Sequence, residues 1–172
     1  METAEQAPWL TEDELPTWLA LVGVLIKLPS ALDEQLQREA GMSHFEYLAL
    51  MALSRHEGHS VRMSELAVLT NGSLSRLSQV ISRLEKRGWV RREPDPTDGR
   101  CTLAILTDSG LQKLLSTMPG NAEAIRRLVF DPLTKAQVRQ LQEITHRIIR
   151  AIDPSIADRK PDIRSFHPRA RC

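Results

Sequence analysis

A chain of 172 residues with 23 Lys and Arg against 22 Asp and Glu, a net charge of +1 and 41% hydrophobic residues suits one globular domain or two small lobes sharing a core. That apolar fraction excludes a disordered chain. No run of about 18 apolar residues marks a membrane span, and the acidic stretch at 1–14 lacks the parts of a secretory signal, which points to a cytoplasmic protein.

The charge is unevenly spread: residues 1–54 sum to −7, residues 55–100 to +3 and residues 101–172 to +5. A basic centre and end beside an acidic start fit nucleic acid as well as a mixed solvated surface, so charge alone decides nothing.

In chain order, Thr11-Glu12-Asp13-Glu14 has the spacing of a capping box and opens a helix. Its apolar positions Leu15, Trp18, Leu19, Val22, Leu25 and Ile26 continue past Pro29 to Leu32 and Leu36. This predicts one long helix kinked near Pro29 or two helices meeting there, ended by Gly41. So wide an apolar surface needs a partner, and a second subunit is a candidate. Ser43-His44-Phe45-Glu46 repeats the capping-box spacing and opens a helix whose Tyr47, Leu48, Leu50, Met51 and Leu53 are core candidates.

Ser64 is placed to cap a short helix running to about Leu69, Asn71-Gly72 to make a left-handed turn, and Ser73 to cap the helix that follows. In that helix Leu74, Leu77, Ile81 and Leu84 recur at three- and four-residue steps and predict a buried face. Ser75, Arg76, Gln79, Ser82, Arg83 and Lys86 then face outward, with no carboxylate before Glu85. Hydroxyl, amide and guanidinium groups on one exposed face suit phosphate oxygens and base edges. Gly88 stops the helix, and the pattern is that of a helix-turn-helix, although generic helical hairpins share much of it.

Two strand-like runs, 89–93 and 101–106, flank the turn Asp95-Pro96-Thr97-Asp98-Gly99-Arg100 and predict a β-hairpin, a wing, directly after the candidate recognition helix. Cys101 falls in the alternating second strand, which predicts a buried, inert thiol rather than a redox group. Thr107 caps a further helix bearing Leu111, Leu114 and Leu115, which Pro119-Gly120 is expected to bend or interrupt before Ile125, Leu128 and Val129. After Pro132, the capping box Thr134-Lys135-Ala136-Gln137 opens a last helix with Val138, Leu141, Ile144, Ile148 and Ile152 on one stripe. The Arg- and Pro-rich tail at 155–172, with Cys172, reads as flexible.

The fold class is therefore mainly α with a small β-hairpin wing: a winged helix-turn-helix lobe plus N- and C-terminal helices. No cysteine or histidine spacing suits a metal, no motif implies a cofactor, and neither a Gly-rich phosphate loop nor a nucleophile elbow suggests an enzyme.

On Asp98-Gly99-Arg100 followed by Leu106-Thr107-Asp108-Ser109-Gly110, and on the passage Leu84-Glu85-Lys86-Arg87-Gly88-Trp89-Val90, the sequence resembles the MarR family of bacterial winged helix-turn-helix transcription regulators. The resemblance covers residues 12–154 and implies a DNA-binding lobe at 44–110 with dimerisation helices at 12–40 and 111–153. It further implies a homodimer binding double-stranded DNA at a pseudo-palindromic operator, most often as a ligand-responsive repressor. Recognition helices in successive major grooves would place half-site centres about 34 to 36 Å apart.

Ser75, Arg76 and Gln79 are the candidates for base edges, Arg76 suiting guanine and Gln79 adenine. Ser73, Arg83, Lys86 and Arg87 are candidates for phosphate or for plain solvation, and Ser64 for a cap alone or for backbone contact through its helix N-terminus. Arg100 matches the family's minor-groove arginine and Asp98 the carboxylate that orients it; a salt bridge that only shapes the turn is the plainer reading. Family members often bind small aromatic or phenolic effectors between the dimerisation helices and the winged lobe, where Trp18, His44 and Tyr47 are candidates. The reactive cysteine that the family's peroxide sensors carry near the first helix is missing here. The alternative function is a winged helix used only as a protein-interaction module.

Overall fold

The computed structural model describes residues 9–154. The order is α1 (Glu14–Ala40), α2 (His44–Arg55), a 3₁₀ turn (Glu57–His59), β1 (Ser60–Arg62), α3 (Met63–Leu69), α4 (Leu74–Lys86), β2 (Val90–Pro94), β3 (Thr102–Leu106), α5 (Asp108–Ile125), a π turn (Arg126–Phe130) and α6 (Lys135–Ile152). The expectation for the tail at 155–172 lies outside the described residues.

The local signals act as written. Thr11 and Glu14 exchange hydrogen bonds at 2.8 and 3.2 Å, and Ser43 with Glu46 and Thr134 with Gln137 complete the other two capping boxes. Each box satisfies two amides that a helix start would leave bare. Gly41 and Gly88 end α1 and α4 in the left-handed region; at Gly88, φ is +72°, which a side chain would strain.

The core lies in the winged lobe and where α1 and α5 join it: Leu36, Met42, Leu50, Leu53, Leu66, Leu77, Ile81, Leu84 and Leu114 are fully buried. Leaving about 1.5 to 3 kcal/mol of transfer free energy per large side chain in that cluster, these residues fix α2, α3 and α4 against the sheet. The sheet order is β1-β3-β2, antiparallel throughout, with Val61 opposite Ala104 and Arg92 also opposite Ala104 on the other side.

Several expectations are corrected. Pro29 does not divide α1 into two helices; of the two expectations the single long helix holds, Glu14–Ala40 being continuous. The ring lies on the exposed side and Ser30 Oγ donates to Ile26 O at 3.2 Å, so one lost backbone bond is tolerated there. Pro119-Gly120 does not interrupt α5 either. Gly120 faces α1, where a Cβ would come within 2.7 Å of the Glu39 carboxylate, which rests over it.

The hairpin is part of a three-stranded sheet because Ser60–Arg62 adds a strand too short to leave a periodic signal. Ser64 does not cap α3; Arg62 holds the N-cap position and makes no side-chain cap bond. Asn71, not Gly72, takes the left-handed turn, at φ +49°. Leu74 is 54% exposed, and Val80 fills the buried stripe it was expected to head. Leu48 is exposed as well, and Cys101 is half-buried in the wing turn rather than sealed in a strand.

The outer helices differ from the lobe. On α1, Leu15, Trp18, Leu19, Val24, Leu25 and Ile26 are exposed, and on α6 Leu141, Ile144, Ile148, Ile149 and Ile152 are exposed with no buried residue at all. By length and composition α1 could also cross a membrane, a test that the core helix of a soluble protein passes equally.

Candidate nucleic-acid interface

Ser73 starts α4 by accepting the Arg76 amide at 3.3 Å, with its hydroxyl 3.1 Å from that of Ser75. The first turn holds no carboxylate, so the partial positive charge of the helix start is uncancelled. Ser75, Arg76, Gln79, Arg83 and Lys86 are exposed along one side, as their spacing predicts.

Arg76 does not hang free. Its guanidinium stacks on Phe45 at 4.4 Å from the ring centroid. That ring lies under the turn before α4, where a Cβ on Gly72 would come within 2.7 Å of Phe45 Cζ. Gly72 therefore serves close approach, and Phe45 is held between the turn and the arginine.

Arg83 is tied inward. Its Nε donates to Glu46 Oε1 at 3.2 Å, while Arg87 Nη1 lies 3.7 Å from Glu46 Oε2 and donates to Gly41 O at 2.9 Å. The Glu46 side chain is only 4% exposed and also takes the Ser43 amide at 2.8 Å. One buried carboxylate thus closes the α2 cap and docks α4. On the far side, Arg92 of β2 donates to Glu85 at 2.8 Å and to Ser82 Oγ at 3.1 Å, so Ser82 belongs to the joint between helix and wing.

At the wing, Asp98 accepts from the Arg100 amide at 3.1 Å and from its Nε at 3.4 Å, leaving Arg100 95% exposed. The long Nε contact suits a guide that a better acceptor can displace. Beneath it Asp95 is buried. The Thr97 hydroxyl and amide, joined by the Arg62 guanidinium, hold its carboxyl at about 2, below the ordinary carboxylate range. Ser64 sits exposed in the first turn of α3, at the lobe surface.

The three effector candidates are not brought together. A cleft of about 620 Å³ opens between α1, the start of α2 and α4, lined by Asp33, Glu34, His44, Leu48, Arg76 and Arg83 among others. His44 faces it; its backbone amide donates to Asp33 at 2.7 Å, and burial pushes its imidazole below the ordinary range. Tyr47 is buried on another face of α2, where burial raises its phenol, and Trp18 is exposed 11 residues before Pro29, about 16 Å along α1.

The MarR family profile matches residues 40–100, from the end of α1 through β2 and the wing turn to Arg100. The solved structure of Sco3205, a MarR family transcriptional regulator from Streptomyces coelicolor in complex with DNA, is 43% identical and superposes with a TM-score of 0.81 over 90% of this chain and 96% of its own. This chain belongs to the MarR family. AbsC, another MarR family regulator from Streptomyces coelicolor, is 34% identical with a TM-score of 0.77, over 85% of this chain and 98% of that one. The transcriptional repressor MprA of Escherichia coli is 29% identical over 113 residues, 66% of this chain; the match spans 64% of that relative's length.

Within this MarR lobe, sequence reasoning missed Phe45, Glu46, Arg62 and Asp95 as partners of the interface. Glu46 was legible as a cap but not as the counterion of Arg83, 37 residues away. Asp95 was legible as a turn former, and nothing in the spacing joined it to Arg62, 33 residues earlier. Among the described residues no three His, Cys, Asp or Glu side chains gather as metal ligands.

Proposed function

We propose that this MarR-family protein is a sequence-specific, double-stranded DNA-binding transcription regulator that acts as a homodimer and represses by occupying a pseudo-palindromic operator. The reading rests on one observation: the exposed side of α4 is free of carboxylates before Glu85 and lies beside a wing whose Arg100 is almost fully solvated. An acidic ligand with regularly placed acceptors suits that surface, and the helix is the right width for a major groove.

In this reading Arg76 and Gln79 contact base edges, and Ser75 contributes a hydroxyl. Ser73, Lys86 and Ser64 bind phosphate, and Arg100, aimed by Asp98, enters the minor groove. Leu74, exposed at the first position of α4, adds an apolar contact suited to a thymine methyl. Arg83 and Arg87 chiefly hold α4 against Glu46.

The homodimer is supported by the apolar stripes of α1 and α6, which no other element among the described residues covers. A second α1 and α6 would bury them, which also accounts for α1 without a bilayer. A small aromatic or phenolic effector is assigned to the cleft beside His44; Trp18 and Tyr47 lie away from it. Its target places the protein in the cytoplasm.

Selection of duplexes from a random-sequence pool, followed by gel-shift titration, tests the function directly. The expected result is one enriched palindromic sequence with half-site centres about 34 to 36 Å apart. Equal binding to every duplex, or binding to none together with capture of an acidic protein, overturns the reading in favour of a protein-interaction module.

A further inference from the structure

We propose that Arg62 is a positioning residue for the wing: by gripping Asp95 and Thr97 it sets where Arg100 stands relative to α4. The proposal rests on the DNA-binding reading above. Arg62 ends β1 and occupies the N-cap of α3, so it is rooted in the helix-turn-helix rather than in the wing. Its Nε donates to Asp95 Oδ2 at 2.6 Å and its Nη2 to Thr97 Oγ1 at 3.2 Å.

The backbone ladder cannot do this task. Pairing of β2 with β3 ends at Pro94 opposite Thr102, so the residues between are held by the turn's own bonds. Asp95 is their hub. Its amide donates to Cys101 O at 2.9 Å, its carbonyl accepts the Asp98 amide at 3.2 Å, and its Oδ1 takes the Thr97 amide at 2.8 Å and the Thr97 hydroxyl at 2.7 Å. Only Oδ2 reaches outside the turn, and it goes to Arg62.

With that cation removed, the Asp95 side chain, 6% exposed, keeps its Thr97 bonds at Oδ1 but has an Oδ2 with neither a donor nor a counterion. The carboxylate must then turn toward water, and the tip that carries Asp98 and Arg100 turns with it. A residue that never touches DNA thereby governs one that does.

The test uses the full chain and the tightest duplex recovered from the random pool. Affinities of wild type, Arg62→Met, Arg100→Ala and the double variant are compared after correction for the folded fraction measured by melting. Each single change is expected to lower affinity about tenfold, the size of one lost charged contact, and the pair no further. Multiplying losses, or an Arg62→Met variant of full affinity, overturn the proposal; the first marks Arg62 as a separate phosphate contact.

Should Arg62→Met melt too low to assay, Arg62→Lys keeps the charge but loses the bond to Thr97, so a smaller loss of affinity is expected, and none of it in the Arg100→Ala background; a loss that persists in that background overturns the proposal. Amide exchange supplies a reading without DNA. In Arg62→Met the Thr97, Asp98 and Cys101 amides should exchange about tenfold faster while α4 keeps its protection. Unchanged rates at the tip overturn the proposal whether or not the protein binds DNA, whereas a wild type that selects no duplex overturns only the function.

Discussion

At the scale of single residues, the arginines on and beside α4 have different work. Arg76 rests on Phe45 with its edge to solvent, and Arg83 is committed to a buried carboxylate. Arg76→Ala or Gln79→Ala should relax preference at particular base pairs by about 1 to 3 kcal/mol, read from titration of single-base operator variants. Arg83→Ala should instead lower the melting temperature with a smaller effect on base preference, and equal loss of preference in both would contradict the division. Leu74→Ala should remove the affinity difference between operators carrying thymine and uracil at its contact, a methyl group apart. Asp95 gives a pH signature. Its carboxyl is held at about 2 rather than 3.8, so it stabilises the fold fully above about pH 4 and less as pH falls toward 2. The melting-temperature gap between wild type and Asp95→Asn should narrow steadily as pH falls from about 4 toward 2; a gap that stays constant from about pH 5 down to about pH 2.5 would assign the effect to something other than charge.

Among the elements, what the sequence made legible was local. Helix starts at Thr11, Ser43, Ser73, Thr107 and Thr134 were readable because each cap closes within three residues, and the apolar stripe of α4 because Leu77, Ile81 and Leu84 repeat at helical spacing. The candidate interface was legible as residue types on a face. What escaped was decided elsewhere: α1 runs through Pro29 and α5 through Pro119, each with its ring on the exposed side, and β1 exists because β3 offers it an edge. Leu74 stayed exposed because the first turn of a helix overhangs the core that its later turns cover. Gly72 shows the same dependence. Gly72→Ala would drive a methyl into the Phe45 ring, and a loss of about 1 to 3 kcal/mol in stability is expected from chemical denaturation.

For the whole molecule, the lobe is packed and the outer helices are not. Ile144 on α6 is 53% exposed in a single chain, which is costly unless a second chain covers it. Ile144→Asp should yield monomers in sedimentation equilibrium and weaken operator binding roughly 100-fold, since each lobe then binds without a tethered twin. A variant that remains dimeric would move the subunit contact elsewhere. Binding should also weaken steeply with salt, and Lys86→Ala should reduce the slope of log affinity against log salt by about 1.

Glu46 carries a consequence for how such a protein changes over generations. Two hydrogen-bond donors, Ser43 N and Arg83 Nε, and the nearby charge of Arg87 converge on it, and they come from two separate stretches of chain. A lineage adapting its reading helix to a new target can therefore sacrifice Arg83 without stranding the acid, because the other two still serve it. Redundancy behind the reading surface gives that surface room to drift.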